Sequence, residues 1–178
     1  MDINDKTISI AREAADARTL PPYRAVNGLW VCLVKLANLL PRVGEEHEQI
    51  ASLLRGFSRE EACVVVSDEG VDALLNLQPP LETVLADDGE RLYPLPAARE
   101  LGRVRERRTS DPKAALAALF QILQRIRDKR EHGFKTPEGS RDDQILNAAA
   151  SVLNRLIGVA VARAWAAVAR EQRAGGSG

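Results

Sequence analysis

The chain has little that would commit it to redox or metal chemistry, with two cysteines and two histidines among 178 residues. Cys32 and Cys63 are isolated from each other and from the histidines. They cannot form the closely spaced clusters of a zinc site or a disulfide framework, and they read as two reduced core thiols. His47 stands in EEHEQ, where Glu45, Glu46, His47 and Glu48 occupy consecutive positions that do not share one helix face, so no metal site is expected there. No cofactor is expected either, because glycine-rich phosphate loops, nucleophile elbows and clustered Cys/His ligands are all missing.

Net charge is also missing, since 25 Lys and Arg balance 25 Asp and Glu. That balance excludes a protein that coats nucleic acid by bulk attraction, and it leaves room for a local basic site. Long uncharged apolar runs are absent too. The most apolar late stretch, residues 152–169, is broken by Arg155 and Arg163, and the opening MDINDKTISI lacks the basic start and apolar run of a secretory signal. A cytoplasmic protein without a membrane span is expected.

What is present is the composition of an ordinary globular domain, 45% hydrophobic and 28% charged, enough for one core. A short helical pattern covers residues 8–18 and is stopped by Pro21 and Pro22. Residues 23–40 form a strong helix on the spacing of Val26, Leu29, Trp30, Leu33, Leu36, Ala37 and Leu40, ended by Pro41. Residues 45–55 follow as a shorter helix with Ile50, Leu53 and Leu54 inward and Gly56 as its stop. Ser58 and Glu61 have capping-box spacing and favour a helix, against the β-branched run Val64 to Val66. Residues 71–77 read as another short helix, residues 81–95 as a loop-rich passage, and residues 97–108 as a helix whose RVRERR strip is a solvated charged face.

The C-terminal third is the clearest part. Ser110 or Asp111 caps a helix with Pro112 in its first turn, and Leu116, Leu119, Phe120, Leu123 and Ile126 form one apolar stripe running to about Glu131. Gly133, Pro137 and Gly139 make a connection. Ser140 then caps a last helix, with Asp142 and Asp143 in its first turn and Ile145, Leu146, Ala149, Leu153 and Leu156 inward, running towards Trp165. Trp30 and Trp165 are expected to be packing residues. The expected fold is all-α, a helical bundle with two long antiparallel C-terminal helices. Residues 1–22 form an N-terminal helical arm, residues 23–172 the main domain with an insertion around 58–108, and residues 173–178 a flexible tail.

Between the two long helices lies RIRDKREHGFK, residues 125–135. Arg125, Arg127, Lys129, Arg130 and Lys135 outnumber Asp128 and Glu131 around His132, whose imidazole titrates near neutrality. A positive pocket beside such a group suits a phosphodiester. A plainer role is also open: His132 sits where a helix C-terminal histidine stabilises exposed carbonyls, and Arg127 and Glu131 have the spacing of a surface ion pair. The step from Arg127 to His132 turns about 140° around an ideal helix, so convergence needs a helix end near His132 or a partner subunit.

Arg127, Asp128 and His132 in RDKREH, followed by a Gly/Pro loop and SRDDQILNAAASVL, resemble the HEPN superfamily, the higher eukaryotes and prokaryotes nucleotide-binding domain. That family's signature is an arginine, a polar residue after it, most often asparagine, and a histidine after four to six residues. His132-Gly133 and Arg141-Asp142 are similar to the ApeA-type anti-phage members. The resemblance covers residues 111–169, with residues 23–40 as a first core helix. It implies a metal-independent endoribonuclease acting in defence or as a toxin, with RNA as substrate, a site composed across a homodimer, and an antitoxin or regulatory protein as a further partner.

In that reading His132 handles protons, Arg127 binds the phosphate, and Asp128 orients one of them, while Arg125, Lys129, Arg130 and Lys135 contact RNA or phosphate. RNA supplies its own nucleophile, the 2′-hydroxyl, so the protein need only move protons and stabilise the charged phosphorane. Two departures stand out. Asp128 replaces the usual asparagine and can itself pair with Arg127, and Phe134 stands where some HEPN toxins carry a modifiable tyrosine. The alternative is a HEPN-like module without catalysis, used for binding or dimerisation.

Overall fold

A computed structural model describes residues 3–78, 81, 96–131 and 140–175, with side-chain surroundings for all of these except 96–97, 129–131, 140–141 and 171–175. Among the described residues there are eight helices and no strand: α1 (Ile3–Ala17), α2 (Pro22–Ala37), α3 (Glu46–Arg55), α4 (Arg59–Val66), α5 (Glu69–Leu75), α6 (Pro96–Arg107), α7 (Pro112–Glu131) and α8 (Ser140–Gly175). The all-α class expected from the helical spacing is what is found. The loop-rich passage expected at 81–95 lies outside the described residues apart from Leu81, which is buried.

Each helix is set by local chemistry. The Ser58 side chain accepts from the Glu61 amide while the Glu61 carboxylate accepts from the Ser58 amide at 2.6 Å, so the capping box overrides the β preference of Val64, Val65 and Val66. Proline in the first turn of α2 costs no hydrogen bond there. The expected stripe on α7 is real, with Leu116, Leu119, Phe120, Leu123 and Ile126 all buried.

One core runs through the molecule. α8 packs chiefly on α2, α5 and α1, whereas α7 packs chiefly on α6 and α4. The two long helices meet each other only slightly. The stretch of α8 over residues 142–170 is long and apolar enough to cross a bilayer by length and composition, and 56% of its apolar window is buried inside the fold. Inward positions Leu146, Val152, Leu153 and Leu156 face the other helices, which is what a central bundle helix requires.

α5 approaches α8 closely at Gly70. Asp68 caps α5 by accepting from the Gly70 amide at 2.9 Å, and its buried carboxylate also takes the Ser151 hydroxyl at 2.8 Å and Arg155 Nε at 3.1 Å. A Cβ on Gly70 would lie 2.5 Å from the Ala148 carbonyl oxygen, so only glycine admits this contact.

Several expectations change. Trp165 is not a core residue, being 46% exposed, because the last buried position described on α8 is Val161. Cys32 is buried but Cys63 is exposed on α4, so only one thiol belongs to the core. α8 extends through Gly175, past the expected start of the tail. The strip on α6 is not merely solvated: Arg105 donates to the Leu75 carbonyl at 2.7 Å and Arg108 to Asp72 at 2.6 Å, tying α6 to α5, while Leu101 and Val104 anchor it in the core.

Candidate functional site

Arg127 is carried near the end of α7 by the apolar stripe that seats that helix. Its guanidinium lies over the Trp30 ring, with Cζ 5.2 Å from the ring centroid. Trp30 in turn stacks on Phe120 of α7, with ring centroids 5.7 Å apart and planes 9° from parallel. The indole N–H donates to Glu46 Oε1 at 2.7 Å. That same Glu46 oxygen stands 3.5 Å from Arg127 Nη1, and Asp128 Oδ1 stands 3.3 Å from it. An arginine stacked on an aromatic face and held by two carboxylates keeps its planar fork in one orientation.

Glu46 reaches Trp30 because of the turn between α2 and α3. Buried Gln49 donates to the carbonyls of Ala37 at 2.9 Å and Pro41 at 3.2 Å, and accepts from the Val43 amide at 2.8 Å. It thereby satisfies the open end of α2 and fixes the loop. Gly44 follows at φ 125°, a backbone region suited to glycine, and a Cβ there would run into the Glu48 carboxylate. α3 starts immediately afterwards, so Glu46 lies in a first turn, where a negative charge is favoured.

Of the expected site residues, Arg127 and Asp128 are brought together, and the Arg127 side chain is 21% exposed. His132 and Lys135 lie outside the described residues. α7 is described through Glu131, the residue before that histidine. Lys129 and Arg130 are helical, with side chains outside the description. Arg125 is not gathered with Arg127, because the two are two positions apart, which sets them about 160° from each other around the helix. Arg125 and Arg127 therefore leave α7 on different sides.

Trp30, Phe120 and Glu46 are what the sequence reading missed. The sequence alone makes Trp30 a packing residue and Glu46 one of four consecutive residues that share no metal-binding face. Their role arises from contacts across 16 positions between α2 and α3 and across the bundle to α7, for which no local spacing gives a signal.

Beside this cluster, α3 and α7 form the walls of a groove of about 710 Å³ that includes His47, Arg55, Lys113, Gln121 and Gln124. The other histidine thus stands on a groove wall. Among the described residues no group of three or more His, Cys, Asp or Glu side chains is placed to hold a metal ion. No protein-family model matches the chain, and no characterised protein or solved structure is similar enough to it to count as a relative.

Proposed function

We propose that this chain is a HEPN-type bundle, with its two long C-terminal helices antiparallel, and that its Arg127 to His132 segment is a metal-independent endoribonuclease site completed by a second copy of the chain. It would act in the cytoplasm as a defence or toxin effector under the control of a partner protein. The observation that supports this best is the setting of Arg127. Its guanidinium is stacked on Trp30 and braced by Glu46, five positions before His132 in the sequence, a preorganised cation of the kind that stabilises a phosphorane. His132 then moves the protons, and two copies supply an acid and a base from one histidine per chain.

A second reading, a HEPN-like binding or dimerisation module without catalysis, is favoured by one specific contact. Asp128 engages the same Arg127 nitrogen as Glu46, so a phosphate must compete for it. Cleavage of single-stranded RNA in the presence of a chelator separates the two. The nuclease reading expects cleavage that falls about 10²–10⁴-fold in His132→Ala and comparably in Arg127→Ala. Chelator-sensitive cleavage, or none by a folded dimer, defeats it.

A further inference from the structure

One face of α8 is polar where it looks onto another part of the chain. Asn147, Ala150, Ser151 and Asn154 recur at i, i+3, i+4 and i+7 and so lie on that face together. It meets the turn from α1 to α2, and with Arg18, Leu20 and Ala25 it lines a pocket of about 230 Å³. Pro21 and Pro22 restrict the backbone of that turn, and Thr19 Oγ1 donates to the Asp16 carbonyl at 2.8 Å, so this wall is preformed. The pocket shares no residue with the Arg127 cluster.

Among the described residues, the side chains of Arg18, Asn147 and Asn154 have no hydrogen bond or ion pair within the protein, and no carboxylate lines the pocket. Three donor groups therefore stand open around one space. α1 ends and α2 begins at its mouth, so their opposite helix-end charges offset each other and the guanidinium sets the sign. Ser151 plays another part. Its proton is committed to buried Asp68 at 2.8 Å, whose charge is matched by Arg155 Nε at 3.1 Å and the Gly70 amide at 2.9 Å. Only the lone pairs of Ser151 Oγ remain, so towards a ligand it accepts. The set suits an anion with several oxygens for Arg18 and the two carboxamides, and a neighbouring hydroxyl for Ser151.

The volume equals roughly eight waters at about 30 Å³ each, below the ~300 Å³ at which pockets for drug-sized ligands begin. A phosphate and a short hydroxylated chain fill it, with no room left for a nucleobase. We infer that this pocket binds a small phosphate monoester bearing hydroxyl groups, of the size of a triose phosphate, with Arg18 on the phosphate and Ser151 on a hydroxyl. Such a ligand ties the α1–α2 turn to α8. The site stands whether or not the Arg127 to His132 segment cleaves RNA.

Isothermal titration calorimetry on the full chain at fixed ionic strength tests this, with glycerol 3-phosphate as the probe and inorganic phosphate and glycerol as its two halves. The ester should bind about tenfold or more tighter than phosphate, and glycerol should give no measurable heat. At a hundredfold excess over its Kd the ester should raise Tm by about 5–10 °C. Arg18→Gln should weaken binding about tenfold or more, the loss of a hydrogen bond to a charged group. Ser151→Ala should bring the ester down to the affinity of phosphate. Arg24→Gln removes an exposed arginine outside the lining and should leave affinity within about twofold. Ser151→Ala also takes a donor from Asp68, so thermal unfolding checks each fold, and exposed Arg18 decides the matter if that variant does not fold.

The inference is overturned if the wild type does not bind the ester, if inorganic phosphate binds as tightly as the ester, if Arg18→Gln leaves affinity unchanged, or if Arg24→Gln weakens it as much as Arg18→Gln does.

Discussion

Replacing Asp128 with asparagine removes one of the two carboxylates on Arg127 while keeping the side chain's size. At 3.3 Å, the gross attraction between the unit charges is about 5 kcal/mol at an effective dielectric constant near 20. Most of that is not realised. The Asp128 side chain is 41% exposed, and exposed pairs, after desolvation, side-chain ordering and screening, contribute about 0.2–1 kcal/mol. Glu46 at 3.5 Å and the Trp30 ring continue to hold the guanidinium in place, so the arginine should not swing away.

The free energy no longer spent on the internal pair becomes available to a phosphate. Asp128→Asn should therefore tighten binding of a labelled single-stranded RNA whose 2′-O-methyl groups block cleavage up to about fivefold, the ratio that corresponds to about 1 kcal/mol. Anisotropy titrations at one fixed salt concentration measure this, and the cycle with Arg127→Gln isolates the pair. In the Arg127→Gln background the gain should largely vanish. Unchanged or weaker binding by Asp128→Asn would refute competition for Arg127. An equal gain without the arginine would show that the aspartate acts by general repulsion.

Gly70→Ala should lower stability by about 1–3 kcal/mol, because its new methyl meets the Ala148 carbonyl oxygen; urea unfolding measures it, and no loss would mean that α5 shifts without cost. The Lys35 pKa is raised by its hydrogen bond to Glu13. A raised folded pKa stabilises below the ordinary lysine value and is lost as pH rises through the folded one, so wild type should lose up to about 1 kcal/mol in the alkaline range that Glu13→Gln does not, the pair being exposed. A thiol reagent should modify Cys63 rapidly and Cys32 only on unfolding, since Cys32 is buried and its thiol pKa is pushed up by that burial and by nearby Glu13. Equal rates in the native protein would contradict that packing.

Local signals carried most of the helices. The expected helix at 23–40 is Pro22–Ala37, that at 45–55 is Glu46–Arg55, and the capping box at Ser58 started α4 as its spacing implied. α1 begins earlier than its pattern suggested, because the polar residues between Ile3 and Ile8 give no apolar spacing while Thr7 bonds back to the Ile3 carbonyl at 2.8 Å. Trp165 was misread for the opposite reason. Helical spacing continues along α8 past Val161, its last buried described position, and periodicity alone cannot tell where burial stops.

The candidate site was legible only in its α7 residues. Arg127 and Asp128 are adjacent in sequence and adjacent in space, but Glu46 and Trp30 arrive through tertiary packing. Arg125 was grouped with Arg127 by proximity in the chain, which ignores the turn of the helix between them.

The partnership of α8 with α1 and α2 also shapes how the chain reaches its fold. A chain is made from its N-terminus, and domains close as units once their contacts are available. Here Leu29, Leu33 and Leu36 are core residues that share that core with Leu146, Leu153 and Val161. The first helices must therefore wait, with part of their apolar faces uncovered, until α8 has been synthesised. That long-range closure slows folding relative to a bundle built from sequential hairpins, and it places the period of greatest aggregation hazard before α8 emerges from the ribosome.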